Sequence, residues 1–218
     1  MSKKKSREGL TVKVKTARGR RSSSTRWLQR QLNDPFVDKA KKEGYRSRAV
    51  YKLQEIDNKF TVLKKAKIIV DLGCAPGGWL QLAKERSDGR IIGIDLQDVE
   101  PVDRTEIIKG DIRDDEVLEE FIDLKIDVVM SDMAASSCGH KETDHLRIIS
   151  LCEIALDFAV KTLKPGGSFI CKILQGGGNN QLVEELKSNF NNVKYFKPKA
   201  SRQDSSEAYV VALDFKGP

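Results

Sequence analysis

The sequence predicts an α/β domain built on a mostly parallel, seven-stranded sheet, with helices on both faces and one antiparallel strand near the C-terminal end. Short apolar runs rich in β-branched residues alternate with segments of helical periodicity through most of the chain. That alternation is typical of a parallel sheet that is buried on both faces. The last two predicted strands have no helical pattern between them, so we expect them to pair antiparallel.

The individual elements follow from apolar periodicity and from turn and cap residues. The predicted strands are 68–70, 90–95, 105–110, 126–131, 168–174, 193–196 and 208–215. The predicted helices are 36–43, 48–60, one starting at 79, 114–124, 144–163 and 181–190. Asp34 and Pro35 start the first helix, Gly44 ends it, and Ser47 caps the second. Lys52 lies off the apolar stripe of that second helix, as a solvated lysine does.

The charge of the chain is concentrated at its N-terminus. The 218 residues carry a net charge of +7, yet residues 1–30 hold eleven Lys or Arg and one acid, and the remainder holds 28 basic and 31 acidic groups. We predict that residues 1–25 form a disordered basic arm that contacts phosphates, and that residues 26–218 form a single domain. A solubilising tail without a partner is the alternative. The arm lacks the apolar core of a secretory signal, and its lysine run and lack of an amphipathic stripe disfavour a transit peptide.

Other classes of protein are disfavoured by composition and spacing. No apolar run approaches the length of a membrane span. The four cysteines contain no CxxC pair, so we expect reduced thiols in a cytoplasmic protein. We also expect a monomer. Cys138, His140 and His145 lack the paired spacing of a zinc site, so no metal is predicted.

A glycine-rich loop marks the predicted ligand site. Asp71 follows the first apolar strand, and Gly73, Pro76, Gly77 and Gly78 then prevent regular structure before a helical pattern begins. Strand, glycine loop and helix begin a nucleotide-binding unit, because glycines admit a ligand close to the backbone and a helix N-terminus offers unpaired N–H groups. An ordinary tight turn is the alternative interpretation.

Acidic residues follow successive strands. Asp71, Asp95, Asp111 and Asp132 each stand at the end of one of the first four predicted strands. The ligand crevice of an open parallel sheet lies at the carboxyl ends of its strands. Four acids directed at this edge therefore predict a binding site.

The loop residues favour S-adenosylmethionine over a nicotinamide dinucleotide. Asp95 lies 22 residues after the first loop glycine, a separation that suits ribose binding with either cofactor. Ala75 occupies the central glycine position of GxGxxG, and Pro76 removes an N–H that a phosphate would use. S-adenosylmethionine has no phosphate and carries a sulfonium cation, which suits Asp71 and Asp132.

Five segments carry a family resemblance. They are Arg-Ser-Arg-Ala-Val-Tyr-Lys-Leu at 46–53, Asp-Leu-Gly-Cys-Ala-Pro-Gly-Gly-Trp at 71–79, Asp-Val-Val-Met-Ser-Asp-Met at 127–133, Pro-Gly-Gly-Ser-Phe at 165–169 followed by Lys172, and Ser-Glu-Ala-Tyr at 206–209. In these segments and in their order the chain resembles the FtsJ/RrmJ family of ribosomal RNA ribose 2′-O-methyltransferases, most closely the bacterial type that modifies a large-subunit uridine. Ala135-Ser136 departs from the Pro-Asn usual there. The resemblance implies a Rossmann-like S-adenosylmethionine-dependent methyltransferase fold.

The resemblance also implies site residues and partners. The matching catalytic positions are Lys52, Asp132, Lys172 and Glu207. The matching positions for S-adenosyl-L-methionine are Gly73, Gly77, Gly78, Trp79, Asp95, Asp111 and Asp132. The implied partner is ribosomal RNA or the large ribosomal subunit, and the implied role is methylation of an A-loop uridine ribose in support of ribosome assembly.

The chemistry of methyl transfer suggests a role for each residue of this set. A ribose hydroxyl attacks a methyl carbon only after its proton is removed or held, and an amine accepts a proton only when it is neutral. We expect Lys172, inside an apolar strand, to be the base or the group that orients the hydroxyl. Asp132 and Glu207 would hold the lysines, and Lys52 would position the nucleophile. Trp79 could equally be a core residue.

RNA is expected to bind by charge. A basic rim around the site is predicted from residues that flank the catalytic positions in sequence: Arg46, Arg48, Lys197, Lys199 and Arg202. Such binding is steeply salt-dependent and directed at the RNA backbone. The alternatives left open are a nicotinamide dehydrogenase, a methyltransferase of transfer RNA or messenger caps, and a non-catalytic assembly factor that retains the fold.

Overall fold

A seven-stranded sheet forms the centre of the protein. The structure is a computed structural model that describes residues 12–14, 19, 22–135, 139–175, 180–202 and 205–217. The strands are β1 Ile68–Leu72, β2 Arg90–Asp95, β3 Glu106–Lys109, β4 Ile126–Ser131, β5 Leu163–Leu174, β6 Phe190–Phe196 and β7 Glu207–Phe215. The helices are α1 Ser22–Leu32, α2 Pro35–Glu43, α3 Val50–Phe60, α4 Gly78–Arg86, α5 Asp115–Ile122, α6 Lys141–Thr162 and α7 Asn180–Asn189.

The strand order confirms the predicted fold class. The sheet runs β3-β2-β1-β4-β5-β7-β6. Neighbouring strands from β3 to β5 are parallel, whereas β7 is antiparallel to both β5 and β6. The last two strands pair antiparallel as predicted. Since β7 lies between β5 and β6, the one antiparallel strand is inside the sheet.

Two apolar cores cover the two faces of the sheet, because alternate side chains of each strand point to opposite faces. On one face, α5, α6 and α7 pack on residues that include Val70, Val129 and Cys171. On the other face, α3 and α4 pack on residues that include Ile69 and Ile170. Helix α3 contributes its predicted apolar stripe to the second core, which places it directly over β5 and β7.

Several predicted boundaries differ from the observed ones. Strand β1 continues through Asp71 to Leu72, so Asp71 lies within the strand. Helix α3 starts at Val50, and the Ser47 hydroxyl accepts a hydrogen bond from the Ala49 N–H in the turn that precedes it. Strand β5 starts at Leu163, and its register with β4 shifts before Ser168, where an irregular loop was predicted.

The predicted boundary at residue 26 falls inside α1. The short described segment 12–14 contacts this helix, since the N–H groups of Val12 and Val14 donate to the side chains of Asn33 and Gln29. Most of the predicted arm lies outside the described residues, so its disorder stays a prediction. In the part of the chain that the structure describes, no helix is long and apolar enough to cross a membrane.

Candidate active site

The structure brings together the four residues predicted to be catalytic, which we call the tetrad: Lys52, Asp132, Lys172 and Glu207. The Lys52 Nζ lies 2.8 Å from Glu207 Oε1 and 3.7 Å from Asp132 Oδ2. The Lys172 Nζ lies 3.1 Å from Asp132 Oδ1 and donates to the Asp132 main-chain oxygen at 2.6 Å. Two ammonium groups and two carboxylates thus form one compact network.

Each tetrad residue comes from a different element, and the fold explains their meeting. Alternation along β5 and β7 directs Lys172 and Glu207 to the face that α3 covers. Asp132 follows β4, which pairs with β5. Lys52 is only 7% exposed, although its place off the apolar stripe suggested a solvated side chain. It is buried because the polar cluster on β5 and β7 lies beneath α3.

Tyr209 is a member of the network that the sequence analysis did not single out. It is fully buried, and its hydroxyl donates to Asp132 Oδ1 at 2.6 Å. Burial, followed by the charges of Asp132 and Glu207, raises the pKa of Tyr209 well above its usual value. Its position two residues after Glu207 on a strand was the available signal, because residues i and i+2 share a face.

The charges around Asp132 determine its ionisation. Desolvation by burial acts to raise the pKa of this carboxyl, but the Lys172 and Lys52 ammonium groups and the Tyr209 hydroxyl outweigh it and hold the pKa below its ordinary value. Asp132 is therefore an anion at neutral pH, with both lysines as its counter-charges.

The Glu207 oxygen that pairs with Lys52 is also contacted by the loop between β6 and β7. The Ser201 hydroxyl donates to Glu207 Oε1 at 2.9 Å, and Ser201 is itself buried. The loop is fixed to α3 by Glu55, whose carboxylate accepts from the N–H groups of Lys199 and Ala200 at 2.7 and 2.8 Å. Helix α3 thus supplies Lys52 directly and orients its partner indirectly.

The predicted basic rim is only partly present. Arg48 and Arg202 both pair with the buried Asp34, at 3.0 and 3.3 Å, so these two guanidinium groups are directed into the protein. Lys197 and Lys199 are exposed, as the prediction required. The sequence could not distinguish the two cases, because the carboxylate that engages the arginines lies on the distant N-cap of α2.

A cavity of about 420 Å³ opens at the carboxyl ends of β1, β2, β3 and β4. Asp95, Asp111 and Asp132 all line it. The Asp95 carboxylate accepts from the N–H groups of Ala75 and Gln97, both at 2.8 Å, and keeps further lone pairs for a ligand. A hydrogen bond from Arg113 lowers the pKa of Asp111. Its apolar wall includes Ile94, Leu96, Ile112, Leu151 and Ile154. We call it the larger cavity, to distinguish it from a smaller neighbour.

A smaller cavity of about 60 Å³ lies beside it and shares Gly73, Ala75 and Asp132 with it. Asp71 lines this smaller cavity, is 1% exposed, and has a buried Oδ2 with no hydrogen-bond partner. Burial, and then the charges of Asp132 and Asp95, raise the pKa of Asp71 well above its ordinary value. A lining acid with an unpartnered carboxylate oxygen suits a cationic ligand group, which agrees with the predicted cofactor.

The loop glycines serve two purposes. A Cβ on Gly73 would lie 2.3 Å from Met133 Cγ, so this glycine leaves room for the Met133 side chain in the wall of the larger cavity. Ser47 fills the space beside Gly78, since a Cβ added to Gly78 would lie 3.1 Å from the Ser47 Cβ. Trp79 is buried and its indole N–H donates to Ala49 at 2.9 Å, so it joins α4 to the start of α3 while lining the smaller cavity.

Metal ligands are not grouped in the part of the chain that the structure describes: no three His, Cys, Asp or Glu side chains there could hold one ion. The described cysteines, Cys74, Cys152 and Cys171, are free and buried. Cys138 and the glycines at 176–178 lie outside the described residues.

Comparisons with known proteins give a consistent result. The sequence model for FtsJ-like methyltransferases matches residues 45–215. The chain is 54% identical to the ribosomal RNA large subunit methyltransferase E of Ruegeria sp. (strain TM1040), over 95% of this chain and 93% of that protein. It is 51% identical to the protein of the same name from Caulobacter vibrioides, over 96% and 94% of the two chains.

Solved structures agree with the sequence relatives. A crystal structure from Plasmodium falciparum, described as a ribosomal RNA methyltransferase, matches with a TM-score of 0.71 and 39% identity, over 80% of this chain and 100% of that chain. A methyltransferase from Archaeoglobus fulgidus, described as dependent on S-adenosylmethionine, matches with a TM-score of 0.51 and 14% identity, over 75% and 94% of the chains. This second likeness concerns the fold alone.

Proposed function

The chain belongs to the FtsJ-like methyltransferase family, and we propose that it transfers a methyl group from S-adenosylmethionine to the 2′-hydroxyl of a ribose in ribosomal RNA. The position of Asp132 is the observation that carries this proposal. Its carboxylate contacts both tetrad lysines, and the same residue lines both cavities. A cofactor bound there would lie next to two amines that can handle the acceptor hydroxyl. The relatives named as large subunit methyltransferases support ribosomal RNA as the acceptor.

The chain has groups that suit each part of the cofactor. Asp95 would take the ribose hydroxyls, and Asp111 with the apolar wall of the larger cavity would hold the adenine. Asp71, with its unpartnered Oδ2, would face the cationic end in the smaller cavity. When bound, S-adenosylmethionine supplies an electrophilic methyl carbon on a sulfonium. The protein's contribution is to place that end beside Asp132 and away from bulk water.

Lys172 would act on the acceptor hydroxyl. A lysine amine has three bonding directions besides its Cε, and the Asp132 carboxylate and main-chain oxygen occupy two of them. The third is available to a ribose hydroxyl, whose oxygen Lys172 would orient or whose proton it would accept when neutral. Lys52, held by Glu207, would position the nucleophile from the other side of Asp132. Alignment of hydroxyl and methyl would supply much of the rate.

The acceptor we propose is a uridine ribose in the A-loop of the large subunit, with methylation supporting ribosome assembly. The name shared by the sequence relatives supports the large subunit, and the motif resemblance supports the uridine. Exposed Lys197 and Lys199 beside the tetrad suit contact with the RNA backbone.

Methyl transfer from labelled S-adenosylmethionine to large ribosomal subunits tests the proposal. The subunits would come from cells that lack the enzyme, with transfer RNA as a second acceptor and Lys172→Ala as the inactive control. We expect label at a ribose of large-subunit RNA with the wild-type chain alone. Cofactor binding without label on either RNA would refute the catalytic proposal and favour a non-catalytic assembly factor. Label on transfer RNA alone would refute the substrate.

A further inference from the structure

The guanidinium of Arg46 joins two loops that flank the larger cavity. Its Nη1 donates to the Pro76 oxygen at 3.2 Å and to the Glu100 oxygen at 2.5 Å, and its Nη2 donates to the Pro101 oxygen at 2.7 Å. Pro76 belongs to the glycine loop after β1, while Glu100 and Pro101 belong to the loop after β2. Three of the five guanidinium N–H groups are thereby used on main-chain carbonyls.

The surroundings of Arg46 are built to keep it in this position. Its N–H donates to Gln81 Oε1 at 2.9 Å, and the Gln81 amide donates in turn to the Gly44 oxygen at 3.0 Å, which fixes the Arg46 backbone to α4. Gly77 has a φ of +102°, and a Cβ there would lie 3.0 Å from both the Arg46 Nη1 and the Val102 Cγ2. The glycine thus leaves the space that the guanidinium passes through.

The two loops joined by Arg46 also carry residues of the cavity wall. Ala75 and Gln97 both line the larger cavity, and the Asp95 carboxylate joins their N–H groups. Arg46 makes the complementary connection through carbonyl oxygens, one residue further along the first loop and three and four residues further along the second. A carboxylate on N–H groups and a guanidinium on carbonyls together set the separation of the loops between which the cofactor ribose would lie.

We propose that Arg46 is a positioning residue of the cofactor site, which acts by bridging the loops after β1 and β2, and that it is not a phosphate contact of the RNA. The proposal rests on the proposed cofactor, S-adenosylmethionine. Arg46 was grouped with the basic rim because it is charged and close in sequence to Lys52. Arg46 is exposed, as Lys197 and Lys199 are, but its hydrogen bonds to three carbonyls give it a different task.

Arg46→Met and Arg46→Lys distinguish the two roles. A lysine keeps the charge that attracts a phosphate. Its compact ammonium group lacks the fork of N–H donors that lets a guanidinium bind carbonyls on two loops at once. If Arg46 bridges the loops, both variants should lose about tenfold in affinity for S-adenosylhomocysteine, measured by calorimetry without RNA. If Arg46 contacts a phosphate, both variants should bind S-adenosylhomocysteine as the wild type does.

RNA binding gives the second readout. We expect the dependence of RNA affinity on salt concentration to have the same slope in wild type and Arg46→Met, because no phosphate contact is lost. The proposal would be overturned if the slope of RNA affinity against salt concentration fell in Arg46→Met by the equivalent of about one phosphate contact and was restored in Arg46→Lys, while cofactor affinity stayed unchanged.

Arg104→Met is the matched control, since Arg104 is an exposed arginine whose side chain donates to the Lys84 oxygen on α4 and not to the glycine loop. Its cofactor affinity should equal that of the wild type, and a loss equal to that of Arg46→Met would overturn the proposal.

The wild-type titration separates this inference from the proposed function. A wild-type chain that bound no S-adenosylhomocysteine would refute the proposed cofactor, whereas wild-type binding left unchanged in both Arg46 variants would refute the inference alone.

Discussion

The tetrad and the larger cavity adjoin at Asp132 but are held together by different kinds of contact. In the tetrad, charged side chains bind one another, and both lysines are only 7% exposed. Around the larger cavity, Asp95 and Arg46 instead bind main-chain groups of the loops after β1 and β2. Geometry that depends on mutual charges fails when one member is removed, whereas geometry that depends on the backbone tolerates changes in most lining side chains. We therefore expect the tetrad to be the more sensitive region.

The largest expected effect is on turnover in Lys172→Met. The methyl-transfer rate in single turnover should fall at least about a hundredfold, since the variant removes the proposed base. The affinity for S-adenosylhomocysteine should stay near that of the wild type, because main-chain contacts shape the cavity. Lys161→Met, which removes an exposed lysine on α6, is the control. Near-normal turnover in Lys172→Met would exclude the proposed role and remove the basis of the comparison.

Asp132→Asn should give the largest loss of stability. The pKa of Asp132 is lowered in the fold, so its ionised form stabilises the protein above the unfolded pKa of about 4, and this contribution is lost as pH falls through the lower folded value. Removing the carboxylate leaves Lys172 without its counter-charge and Lys52 with Glu207 alone, at a cost of about 3 kcal/mol at pH 7.

Urea unfolding at several pH values measures this effect. The difference in unfolding free energy between wild type and Asp132→Asn should narrow as pH falls below about 4. Asp157→Asn, which removes an exposed i,i+4 partner of Lys161, should change stability little. A difference that stays constant with pH would show that the carboxylate charge does not hold the cluster together.

Asp71→Asn should separate stability from binding. The pKa of Asp71 is raised in the fold, so its contribution to stability is fully present below the unfolded pKa of about 4 and is lost as pH rises through the folded pKa. The amide cannot ionise, so the variant should be about 2 kcal/mol more stable than the wild type at pH 7.

The same variant should bind S-adenosylmethionine more weakly, because it removes the charge that faces the cationic end. Paired calorimetry and urea unfolding measure both quantities. If the variant is stabilised but binds normally, the unpartnered Oδ2 of Asp71 destabilises the fold without contributing to cofactor binding. The smaller cavity would then tolerate replacement of Asp71 as well.

The smallest expected effect is that of Ser201→Ala. Loss of its hydrogen bond to Glu207 should lower turnover several-fold, equivalent to about 1 kcal/mol, with unchanged KM for the cofactor. Ser201→Thr keeps a hydroxyl and should restore most of the rate. Equal rates in Ser201→Ala and wild type would show that the Lys52 pair alone positions Glu207.

Local patterns predicted most of the fold. Strands β2 and β4 begin and end where expected, since each is an apolar run bounded by polar residues. Strand β1 was predicted to span 68–70, because Asp71 ends the apolar run, and a charged group inside a buried strand is costly. The strand nevertheless includes this residue, and its raised pKa and unpartnered oxygen are the result. The misplaced boundary therefore lies at the candidate site.

The site was predictable as a set of residues but not as a network. Family motifs supplied the tetrad, and the strand order brings its members together. The burial of Lys52 and the Tyr209 hydrogen bond depend on how α3 and β7 pack on β5, which involves positions far apart in sequence. Arg48 and Arg202 pair with Asp34, which is also distant from them in sequence. The prediction that these two arginines belong to the basic rim was therefore wrong.

The place of β7 in the sheet has a consequence for the order in which the tetrad is completed as the chain folds. This last strand of the sheet inserts between β5 and β6, and it brings Glu207 and Tyr209 with it. Strand β6 emerges from the ribosome before β7 but has no hydrogen-bonded neighbour until β7 arrives. A chain in which β7 has not yet inserted can hold the lining residues of the larger cavity while Lys52 lacks Glu207 and Asp132 lacks the Tyr209 hydroxyl. Insertion of β7 is therefore the step that completes the tetrad.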